Sequence, residues 1–219
     1  PASDHGHHLI EILSERSSRV VSYAKLHRAS VRRSEGRFLV EGANAVAAAL
    51  ESGRAVQILV RESDADRHAE ILGAASGAGV DVVGLSDRAA EKLSEATTPP
   101  GIFALAELLD ASLDDVLSSG PRLLAVAVEP REPGNAGTLI RTADAMGADA
   151  VLLLGDAVDP HNGKCVRASA GSVFHLPIVR ERDVDAALSS VRSAGITILA
   201  TSADGELVLD DASDVLAEP

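Results

Sequence analysis

Thirteen consecutive residues hold the densest chemistry of the sequence: Glu129-Pro130-Arg131-Glu132-Pro133-Gly134-Asn135-Ala136-Gly137-Thr138-Leu139-Ile140-Arg141. They follow an aliphatic run, LLAVAV, and two prolines and a glycine tightly restrict the loop between that run and Asn135. Asn135 stands where a helix N-cap belongs, its side chain able to satisfy a free backbone amide. Gly137 then sits in the first helical turn, where glycine costs about 1 kcal/mol relative to alanine. That cost makes sense if something approaches the backbone closely. Arg141 lies about a turn and a half further on, beside Leu139 and Ile140, and a guanidinium there wants an anion or an oxygen-rich partner. A capped helix with a structural salt bridge explains the same residues, and residue types alone leave both readings open.

A second cluster runs from Asp159 to Ser172, DPHNGKCVRASAGS. Asn162 can cap a short helix presenting Lys164 and Arg167, and the small residues after it admit a neighbouring backbone. The cluster lacks a nucleotide-binding glycine signature. Asp159, His161 and His175 lack a recognisable metal-ligand spacing, so no metal is expected. Cys165 reads as a small packed helix residue, because no base stands beside it. A third feature is charge. Between Arg16 and Arg37 seven basic residues face one acid, Glu35, in a chain whose net charge is −13. Such a segment is either a phosphate-binding footprint or a solvated basic helix.

The elements that must position these residues alternate. Strands are expected at 38–42, 56–60, 80–85 and 102–108, with helices near Leu9 and over 43–51, 64–75 and 86–94. Ser86 serves as a cap. Residues 109–121 are polar, end in Gly-Pro, and read as a linker with a short helix at Leu113, Val116 and Leu117. A second series places strands at 123–128, 150–154, within 172–179 and at 196–200, and helices at 135–146, 163–170 and 184–194. Strands separated by helix-length segments predict a parallel sheet with right-handed crossovers, whose ligands sit at the carboxyl ends of the strands. The expected division is therefore 1–8 unstructured, 9–108 a first domain, 109–121 a linker and 122–219 a second domain.

Composition agrees with an α/β class. The chain of 219 residues is 46% hydrophobic but only 2% aromatic, so the core must be aliphatic, as in sheets covered by helices. A single cysteine excludes an internal disulfide, and no apolar run is long enough to span a bilayer. A cytoplasmic protein without membrane partners is expected.

The stretch EPREPGNAGTLIRTADAMGADAVLLLGDAVDPHNGKCVRASAGSVFHLPIV resembles the SpoU–TrmH class of the SPOUT superfamily, RNA 2′-O-ribose methyltransferases. Its N-x-G-x-x-x-R core falls on Asn135, Gly137 and Arg141, and its R-A-S-A-G-S-x-F-H-x-P signature runs from Arg167 to Pro177. KLHRASVRRSEGRFLVEGANAV and TTPPGIFA resemble the substrate-binding domain of the rRNA-modifying branch. The resemblance implies a small N-terminal α/β/α substrate-binding domain followed by a parallel-sheet, Rossmann-like SPOUT domain with a trefoil knot. It implies S-adenosyl-L-methionine as cofactor, Arg141 and Asn135 as catalytic residues, and Thr201 and Ser202 on a loop lining the cofactor site. It also implies RNA contacts from Arg28, Arg32, Arg33, Arg37, Arg167 and Ser169, and a homodimer.

The family's later Gly-Asn-Glu and Ser-x-Asn motifs are not in this sequence, so a truncated chain with an incomplete knot is expected. The expected function is methylation of 23S rRNA. A tRNA methyltransferase, a non-catalytic RNA-binding protein and an acidic protein using a small nucleotide remain alternatives.

Overall fold

The computed structural model of the chain describes residues 11–201. The segment 1–8, Ser202 and the expected incomplete knot lie outside the described residues, whereas the helix expected near Leu9 gives way to a strand at Ile12–Leu13, the first helix beginning at Ser18. The first half of the chain gives β1 (Ile12–Leu13), α1 (Ser18–Ala24), α2 (Ala29–Glu35), β2 (Arg37–Glu41), α3 (Ala43–Glu51), β3 (Ala55–Arg61), α4 (Ala69–Gly77), β4 (Asp81–Leu85), α5 (Asp87–Leu93) and β5 (Ile102–Glu107). Its five strands form one sheet in the order β1-β4-β3-β5-β2. β1, β4 and β3 are parallel, whereas β5 runs antiparallel to both its neighbours. Successive side chains of a strand face opposite ways, and both faces here are covered. Phe38, Val40, Ile58 and Val60 pack into one buried cluster, while Leu39 and Leu59 pack into another with Leu85, Leu93 and Phe103. Double coverage is why these strands read as unbroken aliphatic runs.

The second half gives β6 (Asp110–Ala111), α6 (Leu113–Ser118), β7 (Leu124–Val128), α7 (Pro133–Ala145), β8 (Ala150–Leu154), α8 (Gly163–Ser169), β9 (Ile178–Glu181) and α9 (Val184–Ser193). The sheet is wholly parallel, in the order β6-β9-β8-β7. The expected linker thus contributes an edge strand to it. The two halves also share a core, since the cluster holding Phe38, Val46 and Ile102 continues through Ile140, Val151, Val166 and Val173. Among the described residues no helix is long and apolar enough to cross a membrane.

Local expectations differ from the structure at further points. Residues 62–68 form two 3-10 turns before α4 begins at Ala69, so the expected helix over 64–75 starts late. Residues 196–200 are irregular, Ile196 and Ile198 packing against the cluster of α6 and α9 without strand pairing. Seven-residue α2 was not anticipated, because it is too short to display helical periodicity.

Candidate active site and nucleic-acid interface

α7 begins directly beyond the carboxyl end of β7, where a parallel sheet places its ligands. The helix starts two residues earlier than expected. Pro133 occupies its first position, for which proline's fixed φ is suited, and Glu132 is the N-cap, accepting from the Gly134 amide at 3.4 Å. Asn135 is therefore a first-turn residue and not the cap. Its side chain is left available, and it is exposed. Asn135, Thr138 and Arg141 follow at three-residue intervals, and all three are exposed. Thr138 Oγ1 donates to the Gly134 carbonyl at 2.9 Å. The Arg141 side chain makes neither a hydrogen bond nor an ion pair among the described residues, while its neighbour Ile140 is fully buried. The open alternative of a structural salt bridge thus finds no partner there.

Gly137 has an internal reason. A Cβ at this position would overlap the Cys165 carbonyl and lie 2.7 Å from the Ala168 Cβ, so α8 lies directly on α7. What approaches the backbone is a neighbouring helix. Asn162 caps α8, accepting from the Lys164 amide at 2.9 Å, and Lys164 donates to Glu132, tying the two helix starts together. Burial pushes the Cys165 thiol up to about 12, so the residue is inert at neutral pH.

The arginines expected to grip RNA divide into two groups. Arg28, Arg33 and Arg37 are exposed. Arg32 is a correction. It is 3% exposed, donates to the carbonyls of Leu26 and His27 at 2.9 Å each, and meets Asp159 Oδ2 through Nη2 at 2.7 Å. With its donors occupied inside the molecule, it is not available to a phosphate. Ser169 is corrected too, being fully buried with its hydroxyl donating to the Val166 carbonyl at 2.7 Å. Arg167 is half-buried and pairs with the buried Glu41 at 2.9 Å, a contact from α8 back to β2.

Asp159 is the centre of a network that composition could not reveal. Its Oδ1 accepts from the His161 backbone amide at 3.0 Å and faces His161 Nδ1 at 2.9 Å. The Leu109 amide donates to His161 Nε2 at 2.9 Å, so that nitrogen is an acceptor and the ring proton sits on Nδ1. The Phe38 ring meets the same imidazole edge-on at 4.9 Å. Burial would raise the Asp159 carboxyl, but the hydrogen bonds from His161 and Arg32 outweigh it and hold the group well below the ordinary carboxylate range. The residues weighed as metal ligands are thus an interdomain lock, and His175 is elsewhere, bonded to Asp144 at 2.7 Å.

Thr201 is exposed and in irregular chain, and it lines neither of the crevices at the domain boundary. It does not by itself make a cofactor pocket, and Ser202 lies outside the described residues.

Residues 122–215 match the model of the SpoU rRNA methylase family, and residues 17–104 match that of an MRM3-like substrate-binding domain. The chain is 35% identical to the 23S rRNA (guanosine(2553)-2′-O)-methyltransferase RlmP of Bacillus subtilis, covering 88% of this chain and 73% of that protein. An rRNA methyltransferase from Sinorhizobium meliloti superposes with a TM-score of 0.76 at 26% identity, covering 90% of this chain and 74% of that one. The SpoU methyltransferase AviRb from Streptomyces viridochromogenes, solved with S-adenosylmethionine, superposes at 0.68 with 27% identity, covering 81% and 67%.

Proposed function

Because the chain belongs to the SpoU rRNA methylase family of S-adenosylmethionine-dependent RNA 2′-O-ribose methyltransferases, we propose that it methylates a ribose 2′-hydroxyl of 23S rRNA and that Arg141 is the group that acts on that hydroxyl. The observation carrying the assignment is the exposed guanidinium of Arg141, unpaired among the described residues and in line with Asn135 on α7. A guanidinium keeps its proton above about pH 12 and is a poor base. Its chemistry is electrostatic: it stabilises the negative oxygen that develops as the 2′-hydroxyl loses its proton. Asn135, one end of the same exposed row, offers an amide to orient the sugar. When bound, S-adenosylmethionine would supply an electrophilic methyl to that oxygen, its sulfonium leaving as a neutral thioether and the hydroxyl proton passing to water.

The N-terminal half supports rRNA over tRNA, because it matches an MRM3-like substrate-binding domain and the likeness to the Bacillus subtilis 23S rRNA methyltransferase extends over 88% of this chain. Arg28, Arg33 and Arg37 would hold phosphates, which give affinity but little sequence choice. A cytoplasmic homodimer is part of the reading. The dimer is supported by exposed Leu123, Val126, Val128 and Met146, at the end of α7 and along an edge of β7 that pairs with no further strand among the described residues.

Transfer of labelled methyl from S-adenosylmethionine to 23S rRNA, using protein made from its complete reading frame, tests the proposal. Modification at one ribose is expected. No transfer by folded protein that still binds RNA would assign it to RNA binding without catalysis.

A further inference from the structure

We propose that the crevice between the two halves is a second RNA-contact site that holds one nucleotide, its phosphate on arginines and its base edge on carboxylates. The proposal rests on the reading of the chain as an RNA methyltransferase. The crevice encloses about 530 Å³, within the usual range for ligand pockets. Its walls come from both halves: Arg33 of α2, Asp110 of β6, Asp156 beyond β8, and Arg180, Glu181 and Arg182 at the end of β9.

Arg180 is the telling residue. Its side chain is 30% exposed, and its Nη1 lies 3.8 Å from Asp159 Oδ1 and 3.9 Å from Asp110 Oδ1. Both distances exceed a hydrogen bond, so the carboxylates attract the guanidinium without occupying its five donors. Asp159 has its own partners in Arg32 and His161. Arg33 and Arg182 are exposed and form no ion pair among the described residues. Three guanidinium groups thus present donors to the crevice, and four carboxylates line it: Asp110 and Asp159 lie beside Arg180, while exposed Asp156 and Glu181 present acceptors that are free among the described residues.

A simple anion would meet repulsion from the carboxylates, and a cation would meet it from the guanidinium groups. A nucleotide carries both complements. Its phosphate oxygens match the arginine fork, and base N–H groups donate to carboxylates. The wall is also tied to the catalytic helix, since the Val158 amide donates to the Pro130 carbonyl at 2.8 Å in the loop that starts α7. A strand gripped in the crevice is therefore held at a fixed spacing from Arg141.

The test is RNA binding by the chain, measured with a labelled rRNA hairpin across a salt series. The double variant Arg180→Gln with Arg182→Gln is expected to weaken Kd about tenfold or more at 0.1 M salt and to lower the salt slope by roughly one per lost phosphate contact. Unchanged affinity and slope in folded variant protein overturn the crevice site and leave the methyltransferase reading standing. Absence of salt-dependent binding by the unaltered chain overturns the reading beneath it. Should the double variant not fold, Arg182→Gln alone, at an exposed side chain with no other assigned role, keeps the test: a lower salt slope supports the crevice site, and an unchanged affinity and slope overturn it. Asp156→Asn with Glu181→Gln separates a nucleotide from a bare phosphate: weaker binding supports base recognition, and tighter binding overturns it.

Discussion

At the scale of single residues, the useful distinction is between arginines with partners and arginines without. Arg32 and Arg167 are held by Asp159 and Glu41, whereas Arg141 has no partner among the described residues. If Arg141 acts on developing negative charge, Arg141→Ala should lower the methyl-transfer rate by about 10²–10³-fold, the loss typical of one preorganised donor. RNA affinity should stay within about threefold, because the bound 2′-hydroxyl is neutral in the ground state and the guanidinium acts mainly on charge that develops in the transition state. Single-turnover kinetics together with an RNA titration would check both, and near-normal turnover in the variant would end the assignment. Cys165 gives a simpler case. A thiol pushed up to about 12 and fully buried should resist a disulfide reagent in native protein and react promptly in denaturant. The choice of Asn135 and Arg141 was available from spacing and resemblance, but the cap was not placed correctly. Pro133 was the overlooked signal, since a proline suited to the first helical position makes the residue before it the cap.

Elements were legible wherever an aliphatic run was covered on both faces, as in β8, whose five residues are all buried. They were least legible where pairing or packing decides the outcome. Two-residue β1 and β6 exist only through their partners β4 and β9. Residues 196–200 carry an aliphatic run with strand propensity, yet without a paired neighbour among the described residues they remain irregular. Helix packing likewise explains Gly137 better than a ligand does, because the space it leaves is filled by Cys165, Ala168 and Ser169 of α8. Gly137→Ala must push α8 away and should cost about 1–3 kcal/mol. Gly134, in the same helix, meets nothing closer than 3.6 Å. Gly134→Ala should therefore be neutral, or stabilise by up to about 1 kcal/mol through helix propensity. Urea melts of the two variants decide the matter, and equal effects would mean that the α7–α8 contact is not close-packed.

Taken as a whole, the molecule uses charge inside as well as outside, which is why net charge was a poor guide. The basic segment between Arg16 and Arg37 reads as a surface, yet Arg32 within it crosses to the other half and is buried there on Asp159, which also anchors His161 and, through it, the Leu109 amide. This lock fixes how the arginine-bearing half sits over the catalytic half, and its strength depends on pH in one direction. The Asp159 carboxyl in the folded protein is held below its unfolded value of about 3.9. Its contribution to stability is therefore fully present above that value and is lost as the pH falls toward the folded one. Asp159→Asn should remove part of the acid-side slope of stability between about pH 4 and pH 2. At pH 7 it should cost about 3–5 kcal/mol, because the Arg32 charge stays buried without its counter-ion. Adding Arg32→Met removes that stranded charge and should recover part of the loss. Urea unfolding at a series of pH values measures all of this, and a single variant whose acid slope matched that of the unaltered chain would show that the two halves are held together by the shared aliphatic core alone.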